Sequence, residues 1–270
     1  MIGFNARPPA ARVTTGNKPG DSKWVPVRSF AEQIGDILDV TVDERRALDR
    51  LLERERTVRR GATLVRENER STELFAVKSG MMIAYLLLDD GSRQVLRFLF
   101  PGDMIGMAVV AYGKAPQTLV ALADSVVAAI DRVQLADLVY RQPRVAMAIT
   151  ALDQVERAAL TDRLAGMGRT SARARVAAVL LDIRDRMRRW DATVGTSFTL
   201  ALTQEDIGDA TGLTAVHVNR MLRQLEEQGL IARAAGRVTV LDEPALARVA
   251  NHVNRLAGLD LSWLPRVDEG

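Results

Sequence analysis

The segment Leu202-Thr-Gln-Glu-Asp-Ile-Gly-Asp-Ala-Thr-Gly-Leu-Thr-Ala-Val-His-Val-Asn-Arg-Met-Leu-Arg-Gln-Leu-Glu-Glu-Gln-Gly-Leu-Ile231 reads as two short helices and the turn between them. Thr203 is placed to cap a helix over residues 204–210, because its hydroxyl can accept one of the free N–H groups of a first turn. Gly212 falls where the chain must turn sharply. Thr214 caps a second helix reaching Glu227, in which Val218, Leu222 and Leu225 recur at three- and four-residue steps and form the inward stripe. Ala215, Val216, His217, Asn219, Arg220 and Arg223 are left facing outwards. Two helices joined by a tight glycine turn predict a helix-turn-helix, with the second helix in the major groove of DNA. Arg220 suits a bidentate pair with guanine, Asn219 an adenine or a phosphate, and Val216 a thymine methyl. Thr203 and Gln204, at a helix N-terminus, suit a phosphate oxygen. Thr214 completes the candidate contact set, and His217 reads either as a contact or as a bystander. Residues 229–240 read as a hairpin, or wing, with Arg233 and Arg237 near its tip and Arg237 assigned to phosphate.

Upstream, residues 172–190 carry Val176, Val179, Leu180 and Ile183 at helical spacing, with Thr170 and Ser171 available as caps. Before them a long helix is predicted over residues 144–166, ended by Gly166-Met-Gly168. Its stripe is Val145, Ile149, Leu152, Val155 and Ala159. Such a stripe packs either on its own domain or on a partner helix. Two recognition helices about 34 Å apart are needed on a two-fold DNA site. The expectation is therefore a homodimer joined through these five residues.

Residues 29–142 have a different texture. Phe30, Ile34, Ile37 and Leu38 have helical spacing, and Thr41-Val-Asp-Glu44 reads as a capping box. Short apolar or alternating runs follow, punctuated by glycines. Asp89-Asp-Gly-Ser92 between two such runs is a hairpin signal. In the return strand, Leu96, Phe98 and Phe100 are expected on one face and Arg93 and Arg97 on the other. Strands at this density predict a rolled antiparallel sheet. The fold class is α+β: an antiparallel β-roll, a long dimerisation helix and a C-terminal winged helix-turn-helix. The expected division is a flexible basic tail (1–28), the roll (29–142), the dimerisation helix and hinge (143–168), the DNA-binding domain (169–255) and a C-terminal tail (256–270). The basic tail has a second reading, as an arm on DNA phosphates.

The 270 residues are 47% hydrophobic and 26% charged, ordinary for a folded chain of about two domains. All but four of the 37 basic residues are arginines, the side chain suited to carboxylates, phosphates and guanine edges. With no cysteine, disulfides, Cys-ligated zinc and iron–sulfur clusters are excluded. No apolar run reaches the length of about 18 residues that a membrane span needs, and the start lacks the apolar stretch of a signal peptide, so a cytoplasmic location is expected. No paired acid and base, metal-ligand cluster or phosphate-cradling loop argues for an enzyme.

Two separated motif sets make the chain resemble the Crp/Fnr superfamily of bacterial transcription regulators. One is residues 202–214, with Val218-Asn-Arg-Met-Leu222 and Leu230-Ile231. The other is Asp89-Asp-Gly-Ser-Arg-Gln-Val95, with Phe100-Pro-Gly-Asp-Met-Ile-Gly106 and Ala121-Leu-Ala-Asp-Ser125. The resemblance spans residues 29–250. It implies a cyclic-nucleotide-binding-type roll, a sequence-specific regulator acting as a homodimer on palindromic DNA, RNA polymerase as a partner, and an effector pocket at Gly102, Asp103, Gly106, Met107, Gln117 and Thr118. Two positions depart from the pattern. Cyclic-nucleotide binders carry a Glu at Met107, for the ribose, and an Arg at Gln117, for the cyclic phosphate. Methionine and glutamine supply neither interaction, so gating by cyclic AMP is not expected. The cysteine cluster of Fnr-like members is missing, and the two histidines, His217 and His252, lie in the DNA-binding half, away from any haem site in the roll. No cofactor is expected, and the effector, if the roll takes one, is an unidentified small molecule. The competing reading is a ligand-binding regulator that acts through protein contacts, with a vestigial helix-turn-helix.

Overall fold

The computed structural model describes residues 28–265, and the expected basic tail lies outside them apart from Arg28, which pairs with Asp36 at 2.5 Å. The architecture is α+β. Its centre is a roll of two four-stranded antiparallel sheets, built from β1 (Glu55–Val58), β2 (Thr63–Val65), β3 (Glu73–Ser79), β4 (Met82–Leu87), β5 (Arg93–Leu99), β6 (Met104–Ile105), β7 (Thr118–Ala121) and β8 (Ser125–Asp131). The strand orders are β1-β8-β3-β6 and β2-β7-β4-β5. Between the sheets Phe75, Val77, Met82, Leu99, Ile105, Leu119 and Val127 form one dry cluster, whose burial drives closure. The β4–β5 hairpin turns where expected: Leu88 N–H donates to Ser92 O at 2.9 Å, and Gly91 takes a φ of 83°, open to glycine at no steric cost.

Helices cover the outer face of the first sheet. They are α1 (Phe30–Gly35), α2 (Val42–Leu51), α3 (Arg132–Arg141) and the first half of α4 (Pro143–Arg169). Ser29, Thr41 and Asp131 close capping boxes on α1, α2 and α3. Phe30, Ile34, Leu48, Leu135, Val145 and Ile149 bury against Leu74, Ala76, Ala128 and Ile130 of the sheet. The outer face of the second sheet is covered differently. Met81, Ile83, Val95, Phe98 and Phe100 join a cluster built from α5 (Ala172–Trp190) and the helix-turn-helix, α6 (Gln204–Thr211) and α7 (Ala215–Glu227). A three-stranded sheet of β9 (Ser197–Thr199), β10 (Ile231–Ala234) and β11 (Arg237–Val240) and a last helix, α8 (Glu243–Ala250), complete that half.

The structure corrects four expectations. First, α4 runs through Gly166 and Gly168 to Arg169. Each glycine costs a helix about 1 kcal/mol relative to alanine, but neither takes a positive φ. The helix stops at Thr170, which turns extended while its N–H and hydroxyl bond Gly166 O at 3.0 and 2.7 Å. Second, the stripe assigned to a partner helix faces inwards. Val145 is 0% and Ile149 3% exposed within one protomer, and Leu152 packs on the same cluster. Val155 and Ala159 turn towards α5 and the segment after α8. The sequence shows that a stripe is apolar, not which surface covers it.

Third, Leu96 does not share the face of Phe98. Ala84 pairs with Arg97 and Tyr85 with Val95, so Leu96 is the extra residue of a β-bulge. One inserted residue reverses the alternation beyond it, which puts Val95 beside Phe98. The freed Leu96 carbonyl accepts a hydrogen bond from the Arg163 guanidinium of α4. Fourth, the residues after α8 are a packed strap up to the last one described. His252 Nε2 meets Asp185 Oδ2 at 2.8 Å, and Arg255 forks onto Asp162 of α4 at 2.7 and 2.6 Å. Leu261 and Leu264 then bury in the cluster of α1, α2 and α4.

Candidate nucleic-acid interface

Local chemistry builds the helix pair. Thr203 accepts Asp206 N–H at 3.1 Å, and Asp206 accepts Thr203 N–H at 2.9 Å, closing a capping box on α6. Gly212 ends α6 with a left-handed φ of 66°. Thr214 accepts His217 N–H at 3.3 Å and starts α7. Val218, Met221, Leu222 and Leu225 are buried beneath. Gly208, which sequence reading passed over, sets how closely the two helices approach: a Cβ there would lie 2.4 Å from Leu213 O. A glycine four residues before the turn glycine was the available signal.

The outward face of α7 is as expected in composition. Val216 is 79% exposed, His217, Arg220 and Arg223 are exposed, and Ala215 and Asn219 are half-buried. No side-chain hydrogen bond ties Arg220 or Arg223 among the described residues, although the Arg223 charge acts on Glu226, so both guanidinium groups keep their donors. Thr203, Gln204 and Thr214 lie exposed on the same edge. Two assigned contacts are otherwise engaged. The Thr203 hydroxyl donates to Asp206 Oδ2 at 2.7 Å. Arg237 holds Ser197 through its Nε and Nη2, at 3.2 and 3.1 Å to the hydroxyl and 3.2 Å to the carbonyl. Arg233 is paired with Glu226 at 2.7 Å, which with its hydrogen bond holds the Glu226 carboxyl below the usual range. The wing turns at Ala235-Gly236, both at positive φ (49° and 76°).

The helix pair is held by the roll. Arg93 of β5 reaches Asp209 at 2.7 Å and Asp206 at 3.3 Å, and Gln94 Nε2 donates to Asp209 O at 2.9 Å. The Arg93 guanidinium lies 5.5 Å from the Tyr85 ring centre, within cation–π reach. The sequence places Arg93 on a strand face with Arg97 and carries no sign of the α6 carboxylates that it meets.

The expected effector pocket is only partly assembled. Gly102, Asp103 and Met107 line a cavity of about 20 Å³ with Arg97, Ile149, Leu152, Glu156 and Arg189. Gln117 and Thr118 do not line it, and the Thr118 hydroxyl accepts Glu67 N–H at 3.1 Å. Gly106 caps the short turn at Met107–Val110. Asp103 is buried and committed. It accepts Phe100 N–H at 2.9 Å and lies 3.4 to 3.8 Å from Arg186, Arg189 and Arg97. Glu156 of α4 takes both Arg186 (2.8 Å) and Arg97 (3.0 Å). Burial alone would raise the Glu156 carboxyl. The Arg186 and Arg97 charges outweigh it and bring the pKa down to about 2.

Residues 55–142 match the family model of the cyclic nucleotide-binding domain, and residues 174–249 match the Crp-like helix-turn-helix domain. The chain belongs to the Crp/Fnr superfamily of transcription regulators. This Crp/Fnr regulator is 27% identical over 210 residues to the fumarate and nitrate reduction regulatory protein of Escherichia coli K12, covering 78% of this chain and 84% of that one. It is similar in structure to FixK2 from Bradyrhizobium japonicum, with a TM-score of 0.66 and 28% identity over 74% of this chain and 98% of that one. A CRP-family transcriptional regulator of Thermus thermophilus follows at 0.53 and 25%, over 73% and 97%. The Crp/Fnr regulator is thus a DNA-binding protein with an antiparallel roll and a helix-turn-helix. The strap after α8 lies beyond both matched regions. No helix among the described residues is long and apolar enough to cross a membrane.

Proposed function

We propose that the chain acts in the cytoplasm as a homodimer on palindromic DNA, alongside RNA polymerase, and that cyclic AMP does not gate it. The outward face of α7 carries this reading, since Arg220 and Arg223 stand exposed, with no side-chain hydrogen bond among the described residues, beside Val216, His217 and Asn219. Arg220 reads a guanine edge and Arg223 a phosphate, with Gln204 and Thr214 on the flanking backbone. Ala215 allows the close approach. Thr203 and Arg237 reach phosphate by releasing the contacts that now hold them.

The second copy sits on the exposed edge of α4. Met147, Gln154, Thr161 and Gly168 recur every seven residues on that edge and are all exposed, with the small Ala158 beside them. Met147 is 39% and the flanking Leu164 75% exposed. Roll, dimer helix and DNA-binding half divide the work at 29–142, 143–168 and 169–255, with the strap tying the last to the first.

Against cyclic AMP stands the cavity of about 20 Å³, room for about one water, whose lining arginines, Arg97 and Arg189, are already engaged by Asp103 and Glu156. Met107 and Gln117 add neither a ribose acceptor nor a cation. The test combines light scattering, fluorescence anisotropy on duplexes bearing bound sites mapped genome-wide, and calorimetry. Ala158→Glu is expected to give monomers that lose the palindrome, and cyclic AMP to give no heat. A variant that stays dimeric moves the interface elsewhere. Micromolar cyclic AMP binding with a gain in DNA affinity overturns the effector reading.

A further inference from the structure

A cavity of about 380 Å³ lies at the hinge between α4 and α5, and none of the residues of the expected effector pocket lines it. Its walls come from the inner side of α4, the hinge itself, the first turns of α5, the end of α6 and the start of the strap. Much of the lining is apolar, from Ala159, Ala178, Val179, Ala210 and Val253. The charges are uneven. Asp162 is taken by Arg255, and Asp182 by Arg163 and Arg186. Arg169 and Arg175 have no carboxylate partner among the described residues. Arg175 donates through Nη1 to Thr170 O, at 3.3 Å, and its Nη2 has no hydrogen-bond partner among the described residues. A carboxylate is the acceptor that a guanidinium group matches best.

We infer that this hinge cavity is a binding site for a small organic monocarboxylate with an apolar body, seated with its carboxylate on Arg175 and its body against Ala178 and Val179. The volume falls in the range of small-ligand sites. A cation would meet free positive charge there, and an uncharged ligand would leave Arg175 less well satisfied. The site also touches the reading head. Met167, in its wall, has its Cε 3.0 Å from where a Cβ on Gly212 would stand, so the hinge rests on the turn between α6 and α7. A ligand that fits only one hinge angle therefore changes DNA affinity, and DNA changes ligand affinity by the same factor.

The experiment is calorimetric titration of the full chain with benzoate and hexanoate, and with benzamide and 1-hexanol as uncharged counterparts. Both acids are expected to bind about tenfold more tightly than their counterparts. Arg175→Met should remove that advantage, and Ala178→Leu should weaken both acids by filling the cavity. Circular dichroism identifies a variant that fails to fold, and wild-type titrations decide without it. The absence of acid binding up to millimolar concentration overturns the site. So does an advantage that survives Arg175→Met in folded protein. These titrations need no DNA, so they stand or fall apart from the homodimer reading.

Discussion

Arginine serves two opposite purposes in two regions of this molecule. Where α5 meets the roll, Arg97 and Arg186 are 11% and 6% exposed in their side chains and share Glu156 and Asp103. On α7, Arg220 and Arg223 are exposed, Arg220 with no partner among the described residues and Arg223 with only its charge acting on Glu226. The buried pair is committed to holding the DNA-binding half on the roll. The exposed pair carries the donors still available to something outside the chain. Composition alone makes all these side chains look alike, and only their pairing separates structural cations from reading ones.

The sharpest way to break this contrast is to remove one buried arginine. Arg186→Met leaves Glu156, Asp103 and Asp182 with less compensation in a largely buried site. We expect a loss of about 3–5 kcal/mol in urea unfolding, with DNA affinity lost as a consequence. A loss below about 1 kcal/mol would show that water already reaches the cluster.

Acid should open the same cluster without mutation. The folded-state pKa of Glu156, about 2, lies below its ordinary value of 4.5, so folding favours the ionised carboxylate. Its contribution is full above pH 4.5 and is lost as pH falls from about 4.5 through about 2. Glu156→Gln should flatten the pH dependence of the unfolding midpoint across that window. An unchanged slope would place the acid sensitivity on other carboxylates.

On the exposed side, Arg220→Ala should cost about 1–3 kcal/mol on the specific duplex and relax preference at one base pair per half-site. Arg223→Ala should weaken all duplexes alike and lower the salt slope by about one. Neither should shift the unfolding midpoint. Equal losses for Arg220→Ala on specific and random DNA would assign it to phosphate. The smallest effect belongs to Arg46→Ala. Its pair with Asp43, at 3.3 Å with side chains 70% and 80% exposed, should yield no measurable change in stability.

The helix-turn-helix was legible because its signals are local. Thr203, Gly212 and Thr214 state its caps and turn within twelve residues, and Val218, Leu222 and Leu225 state its inner face. The roll was legible in class, and its β4–β5 hairpin in position. What stayed hidden depends on distant partners. The α4 stripe at Val145 and Ile149 is the same whether α1 and α2 or a second copy covers it. Leu96 leaves the alternation because a bulge forms and Arg163 takes its carbonyl. Gly166 and Gly168 stay helical against their own propensity, and Asp103 is claimed by arginines of α5 rather than left to a ligand. The hinge cavity arises from five elements that no single stretch of sequence brings together.

The strap also bears on how the chain is made. Synthesis runs from the N-terminus, and the layer of α1, α2 and α4 over the first sheet is among the earliest parts to emerge. Yet Leu261 and Leu264 complete that layer. The hydrophobic patch around Phe30 and Ile34 is thus covered in part by residues more than two hundred positions further along the chain. A chain cut short after α8 would keep its reading head and expose that seam, a sticky surface that quality control can recognise. Leu261 and Leu264 therefore close, late in the chain, a layer that the chain begins with Phe30.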